Sequence, residues 1–230
     1  MRLLTIAGKL IAQSFSYETF IKKIETGIIS SPHATQDDET KKLYNYTKLN
    51  LQRMKRIEKT FEVSEELKQI LLSIKTPQHW VVITEGWCGD SAQNLPAIAK
   101  MAKVNPAIEL QIVERGKNLE IMDLNLTNGT RSIPILISCD THGNELFHWG
   151  PRPREAQELV VKLKNEGLEH DAFIVQLHLW YAKNKGAALE MEFVKLLLSS
   201  LKDQVTVSGS FTLKSINKPI RKKKAIELIA

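Results

Sequence analysis

The sequence predicts an α/β fold: a four-stranded mixed sheet with helices on both faces, a three-layer core, and further helices before and after it. Three observations predict it. Trp80-Val81-Val82-Ile83-Thr84 is a short apolar run of the kind a strand buried on both faces shows. From there the elements follow in the order strand-helix-strand-helix-strand-strand-helix. The last two strands flank Asp140-Thr141-His142-Gly143-Asn144, whose residue types make a hairpin turn. The first pair must then be parallel, joined by a right-handed crossover, and the last pair antiparallel.

Residues 1–77 read as a helical extension. Ser16-Tyr17-Glu18-Thr19 opens a short helix, and Asp37-Asp38 cap a longer one. In the latter Leu43, Tyr46, Leu49, Leu51, Met54 and Ile57 recur at near-helical spacing and predict the buried stripe. Lys48, Arg53, Lys55, Arg56 and Lys59 fall on its other faces, read as a solvated helix surface, with an anion-binding face as the alternative. Ser64-Glu65-Glu66-Leu67 opens a third helix that ends near Pro77.

The core is residues 78–167. After the Trp80 strand, 91–104 reads as a helix with Pro96 inside it as a kink. A strand over 107–113 and a helix over 119–126 follow, then strands at 133–138 and 145–149. Pro153 stands where a first-turn proline belongs, with a helix to about Lys164. Beyond Gly167, Phe173, Ile174, Leu177, Trp180, Tyr181, Leu189, Phe193, Leu196 and Leu197 predict amphipathic helices broken near Gly186, with residues 168–202 packing on the core. From Asp203 the periodicity fades, and 203–230 reads as a mobile tail.

The net charge of +6 is concentrated in that tail. From Lys202 onward seven Lys and Arg face Asp203 and Glu227, leaving +5 there and a near-neutral body. Arg221-Lys222-Lys223-Lys224 is thus read as a solvated terminus, and no specific nucleic-acid binding is expected. Lys9 interrupts the first apolar run before it reaches signal-peptide length, and no stretch approaches ~18 uninterrupted apolar residues, so neither secretion nor a membrane span is expected. Two cysteines, Cys88 and Cys139, are too few for a disulfide-stapled fold. A cytoplasmic setting with reduced thiols is the expectation.

The chemistry concentrates at Trp87-Cys88-Gly89-Asp90-Ser91, just after the first strand and at the mouth of a helix. Unpaired amides and the positive end of the helix dipole favour thiolate at Cys88. Asp90, and Glu85 upstream, oppose it, so a modestly lowered thiol pKa is predicted. Cys139 does not replace a missing resolving thiol. It lies five residues past Pro134 on one strand, roughly 16 Å farther along the sheet, whereas a disulfide needs Cα atoms within about 7 Å. The six histidines show no ligand pairing, and no metal site or resident cofactor is expected.

Element order, Trp87-Cys88-Gly89, Pro96, Gly129-Thr130-Arg131-Ser132-Ile133-Pro134 and the closing Asn144 to Gly150 together resemble the thioredoxin superfamily over about 78–165. The flanking Tyr46-Thr47-Lys48-Leu49-Asn50-Leu51-Gln52-Arg53-Met54-Lys55-Arg56 and Leu179-Trp180-Tyr181-Ala182-Lys183 resemble an uncharacterised bacterial thioredoxin-like family with helical extensions, which brings no established substrate. The resemblance implies that Cys88 is the nucleophile and that Pro134 follows a cis bond beside it. It also implies that Trp87, Gly89, Asp90, Ile133 and Gly150 rim a shallow groove for an extended peptide. Topology brings Arg131 and Arg152 to the same end of the sheet, where either would steady a thiolate or meet an acidic substrate such as glutathione, or else stand exposed without a role. Three departures matter. The resolving cysteine is Ser91, which can donate a hydrogen bond to a thiolate; the proline between the cysteines is Asp90; and Val82 stands where a buried carboxylate is familiar.

The leading expectation is monothiol exchange: Cys88 attacks a disulfide-bearing or glutathionylated protein, and glutathione or another small external thiol resolves the mixed disulfide. The alternatives are a non-catalytic binding module, with Cys88 incidental, and a glutathione-linked iron–sulfur carrier.

Overall fold

A computed structural model of the protein describes residues 14–30 and 37–207. The expectation of a mobile basic tail falls outside these residues from 208 onward. Helices α1 (Tyr17–Ser30), α2 (Asp38–Thr60) and α3 (Glu65–Ser73) precede strand β1 (Gln78–Thr84). Then come α4 (Gly89–Lys103), β2 (Ile108–Glu114), a 3-10 turn (Arg115–Lys117), α5 (Leu119–Asp123), β3 (Ile135–Asp140) and β4 (Glu145–Trp149). Helices α6 (Arg154–Asn165), α7 (His170–Asn184) and α8 (Ala187–Val207) complete the described chain.

The sheet has the order β2-β1-β3-β4. β1 and β2 are parallel from Gln78 against Ile108 to Thr84 against Glu114. β1 and β3 are antiparallel from Gln78 against Asp140 to Ile83 against Ile135, and β3 and β4 are antiparallel with a register shift at Ser138/Cys139. The α/β mixed-sheet class read from the sequence is the fold observed.

Central placement explains the apolar run of β1: alternate side chains serve two different cores. Trp80 and Val82 join a large cluster with Met54, Leu71, Ile98, Ile112 and Phe193, whereas Val81 and Ile83 join Val113, Ile121, Ile135 and Cys88. The C-terminal helix is built into the first cluster. Phe193 lies between Trp80 and Trp149, with ring centroids 5.6 and 5.7 Å away. Glu192 accepts the indole N–H of Trp149 at 2.7 Å and the Arg154 amide at 2.6 Å, and Glu190 accepts the Ser64 amide at 2.7 Å. No helix among the described residues is long and apolar enough to cross a membrane.

Several element limits differ from the sequence reading for local reasons. α5 stops at Asp123, three residues short of the expected end. Asn125 Nδ2 donates to the Ile121 carbonyl, Leu124 and Leu126 stay exposed, and a tight Thr127–Thr130 turn reverses the chain. Asn128 and Gly129, both at positive φ, form that turn. β3 begins at Ile135, not Ile133, because its ladder with β1 opens only after Pro134. In α2 the expected stripe holds only in part. Met54 is buried with Ile57 and Leu51 against the core, whereas Leu43 and Leu49 are exposed and Asn50 is fully buried in their stead. α8 continues to Val207, past the expected end of the helical extension at 202.

One backbone position closes the fold near the site. Gly150 follows β4 at φ +130°, and a Cβ there would stand 2.2 Å from the Pro134 carbonyl oxygen. Both the dihedral and the contact exclude a side chain. Gly150→Ala is expected to cost more than about 2 kcal/mol. Gly129→Ala, at φ +76° with open space around it, is expected to cost about 1 kcal/mol, from backbone strain alone. Urea unfolding of both variants checks the contrast, and equal losses would refute the close-approach argument.

Candidate functional site

Cys88 is the N-cap residue of α4, with extended backbone at φ −78° and ψ 121°. Its amide closes a turn onto the Glu85 carbonyl at 3.1 Å, and its own carbonyl takes the Ala92 amide at 3.1 Å. The sulfur receives the Ser91 amide at 3.5 Å and donates its proton to the Ile133 carbonyl at 3.2 Å. Ile133 precedes Pro134 through a cis peptide bond, and Gly150-Pro151 is cis as well. Ser91 is fully buried, and Thr84 at the end of β1 donates to its hydroxyl at 2.6 Å. Val82 is buried on β1 as an ordinary core residue.

Asp90 is buried one residue beyond Gly89. Its Oδ2 accepts from Arg152 Nη2 at 2.6 Å and Nε at 3.0 Å, and its Oδ1 accepts from the Tyr181 hydroxyl at 2.6 Å. Arg152 Nη1 continues to Gln157 at 3.2 Å. Asn94, one turn along α4, donates to the Asp90 carbonyl at 2.8 Å and to Tyr181 Oη at 3.0 Å. Burial opposes the charge of Arg152, but the Asp90 carboxylate prevails and raises its pKa. Burial, reinforced by Asp90, raises the Tyr181 hydroxyl well above its usual range, so it stays a donor.

Helix α7 lies over the cysteine turn. Its His178 packs against Gly89, where an added Cβ would meet the ring at 3.1 Å, and His178 Nδ1 shares a hydrogen bond with Gln93 Nε2 at 3.1 Å. Burial first, then Arg53 and Arg56 of α2, push the His178 pKa down to about 4, so the ring is neutral near neutral pH. From α2, Asn50 Nδ2 donates to the Gly86 carbonyl at 3.1 Å and fixes the turn before the cysteine.

These surroundings correct the expected thiol chemistry. The Cys88 pKa is raised to about 11, not modestly lowered. Burial is the largest cause, the Asp90 charge adds to it, and hydrogen bonds from Ser91 and the helix amides only partly offset them. The thiolate is then roughly one molecule in ten thousand at pH 7. Glu85, read as a second opposing charge, accepts the Gly116 amide at 2.7 Å, and burial raises its own pKa.

The two arginines divide. Arg152 enters the site through Asp90, so its charge is already matched there. Arg131 is turned to the surface and forks onto Asp123 at 2.6 and 2.9 Å. The cation beside the half-buried Trp87 is instead Arg115, 4.8 Å from the ring centroid, with Nη1 donating to the Arg131 carbonyl at 3.0 Å. Trp87, the Ile133 backbone and the close approach of Gly150 to Pro134 are brought together around Cys88. Cys139 pairs in register with His79, far along β1 from the Cys88 turn, and both thiols are free.

Sequence reasoning missed Tyr181, His178, Asn94 and Arg115 as members of the site. Tyr181 had a signal, since a tyrosine on an amphipathic stripe needs a partner for its hydroxyl when buried. His178 and Arg115 had none, because only the packing of α7 and the 3-10 turn brings them in. Among the described residues no group of three or more His, Cys, Asp or Glu side chains is placed to hold a metal ion.

With mixed sheet, N-cap cysteine and facing Pro134 established, the comparisons agree on the class. A family profile described as Thioredoxin matches residues 37–167, more than half of the chain, and the protein belongs to that family. The match begins within the N-terminal extension, at the cap of α2. Among solved structures, a Pseudomonas aeruginosa protein of unknown function is similar with a TM-score of 0.52 at 19% identity, covering 85% of this chain and 97% of that one. An HIV epitope scaffold is similar with a TM-score of 0.51 at 18% identity, covering 83% and 96%. Both likenesses concern the fold. No curated protein matches the chain.

Two expectations follow from the electrostatics. Asp90→Asn removes the charge nearest the sulfur and releases Arg152, so the thiol is expected to titrate below about 11, read from iodoacetamide alkylation rate against pH. An unchanged or higher value would contradict the role given to Asp90. For His178, a folded pKa lowered from 6.5 to about 4 means that the unfolded chain takes up its proton first. The stability tied to the neutral ring is present above pH 6.5 and lost as pH falls toward 4. His178→Gln is expected to flatten that acid limb in urea titrations at successive pH values; an identical slope would refute it.

Proposed function

We propose that the protein is a monothiol exchange protein of the thioredoxin fold, with Cys88 as its nucleophile. The observation that carries the reading is the position of the sulfur: at the N-cap of α4, against the carbonyl of Ile133 beside cis-Pro134, with Ser91 one turn on. In this reaction the Cys88 thiol gives its proton to solvent, and the thiolate attacks one sulfur of a partner disulfide. A new Sγ–S bond forms as the partner S–S bond breaks, and the departing sulfur leaves with the electron pair and takes up a proton. Ser91 supplies no second thiol, so an external thiol such as glutathione cleaves the mixed disulfide and restores Cys88. Trp87 and the Ile133-Pro134 backbone offer the partner chain an apolar rim and an extended segment beside the sulfur.

A thiol raised to about 11 makes this exchange slow near neutrality and faster as pH rises. The second reading, a non-catalytic binding module, is favoured by one observation: the sulfhydryl proton is engaged by Ile133 and the sulfur is enclosed. Incubation with oxidised glutathione at pH 7 and at pH 9.5, followed by mass spectrometry of the intact chain, separates the two. A glutathione adduct at Cys88 is expected to form at least tenfold faster at the higher pH. It should persist in Cys139→Ser and vanish in Cys88→Ser. Absence of the adduct at both pH values would leave the binding module as the function.

A further inference from the structure

We propose that the hollow enclosed by α2, α4, α7 and α8 binds a small organic anion. Its carboxylate or phosphate would be held by Arg56 and Lys185, and its apolar body would lie against Phe61 and Leu189. The hollow has a volume of about 330 Å³, within the range of roughly 300–1,000 Å³ typical of small-molecule sites and too small for a polymer.

Charge is the first argument. Arg56 comes from α2 and Lys185 from the bend between α7 and α8, and among the described residues no acidic side chain lines the hollow. Elsewhere on these helices cations have found carboxylates: Lys55 of α2 pairs with Glu25 at 2.5 Å, and Lys103 of α4 with Glu18 at 2.5 Å. Arg56 and Lys185 form no ion pair among the described residues. Arg53, one turn before Arg56, is half-buried and spends Nη1 on Asn50 Oδ1 at 2.9 Å, a neutral partner. Burial and the Arg56 charge together pull the Arg53 pKa down. Arg56 and Lys185 are exposed, so solvent screens their repulsion and the cost is modest, and an anion bound beside them relieves it. Guanidinium is suited to gripping either oxyanion in two-pronged fashion.

Construction is the second argument. The bend that carries Lys185 lies directly on the Phe61 ring. Gly186 sits at φ +90°, and a Cβ there would meet Phe61 Cε2 at 2.7 Å, so only glycine lets the bend lie so close. Lys185 itself has the left-handed φ of 53° that ends α7. On the α4 side, Asn94 is buried and fixed by Asp90 and Tyr181, and Gln93 is held by His178. An apolar wall, fixed amides and two exposed cations that form no ion pair among the described residues describe an amphiphilic anion with a compact body.

Calorimetric titration of the full chain in low salt with benzoate, phenyl phosphate and inorganic phosphate tests this. At least one aromatic anion is expected to bind saturably and at least tenfold tighter than inorganic phosphate; which of the two binds better distinguishes a carboxylate from a phosphate ligand. The double substitution Arg56→Gln, Lys185→Gln should weaken that binding tenfold or more. Lys59→Gln, on an exposed face of α2, should leave it within twofold. Arg56→Lys, which keeps the charge and the fold, should retain binding if the double variant proves unstable. Absence of saturable binding, equal affinity for inorganic phosphate, or an equal loss in Lys59→Gln would each overturn the proposal.

Discussion

Asp90 sits in the first turn of α4 with a charge that the surrounding helices enclose, and both of its oxygens are engaged. One faces the Arg152 fork and the other the Tyr181 hydroxyl, partners 62 and 91 residues away in the chain. A single carboxylate thus joins the start of α4, the segment after β4 and the last turn of α7. Such a buried pair adds little net stability, since desolvation consumes most of its Coulomb gain. Removing one member is another matter, and costs about 3–5 kcal/mol because the survivor stays buried and unmatched. The arrangement therefore specifies where the three segments lie more than it strengthens them.

The same charge also acts on the thiol, second to burial. Two opposed influences act on Cys88, and magnitude decides between them. A helix N-terminus is worth about 0.3–1 kcal/mol to an anion, and up to about 2 in a partly buried setting. Burial shifts ionisable groups by as much as 3–5 pKa units, which is several kcal/mol. At Cys88 burial prevails, Asp90 adds to it, and Arg152 brings little relief because its charge is already spent on Asp90. A higher thiol pKa does make the rare thiolate a better nucleophile, but with a sensitivity of only about one half. The loss in thiolate population is therefore only partly recovered.

The sheet was legible in the sequence because its signals are local and redundant. The run from Trp80 to Thr84, the turn residues Asp140 to Asn144 and the cap residues Asp37 and Ser64 each act within a few positions. Cys88, Pro134 and Gly150 were legible through the joint spacing of a family pattern. What escaped was whatever depends on how the extensions pack. The thiol pKa escapes the sequence because nothing near Cys88 in the chain shows that Ile121, Met122 and Ile133 bury it. Arg131 and Arg152 looked equivalent by topology, and only the third dimension gives one to Asp123 and the other to Asp90. In α2 the periodicity pointed to Leu43 and Leu49, but the helix outruns the core at its N-terminal end, and the buried face is set by Asn50 and Met54.

Helix α7 emerges as the shared wall of both features of interest. Its apolar residues Phe173, Leu177 and Tyr181 form a satellite cluster with α6, separate from the two cores that flank the sheet. Its attachment to the central helix is therefore largely polar: Tyr181 to Asp90 and Asn94, and His178 to Gln93. Hydrogen bonds of this kind are each worth about 1 kcal/mol net, rising to 1.5–3 where one partner is charged. A seat held by a few such bonds is positioned sharply but bound less tightly than a core helix, and exposure of the polar groups to water replaces much of what is lost when it lifts. The thiol lies on one side of this seat and the cationic hollow on the other, with Tyr181 belonging to both. What the extensions add to the thioredoxin core is thus a helix seated against Gly89 and Asp90 of the cysteine turn, fastened by polar contacts rather than by the core.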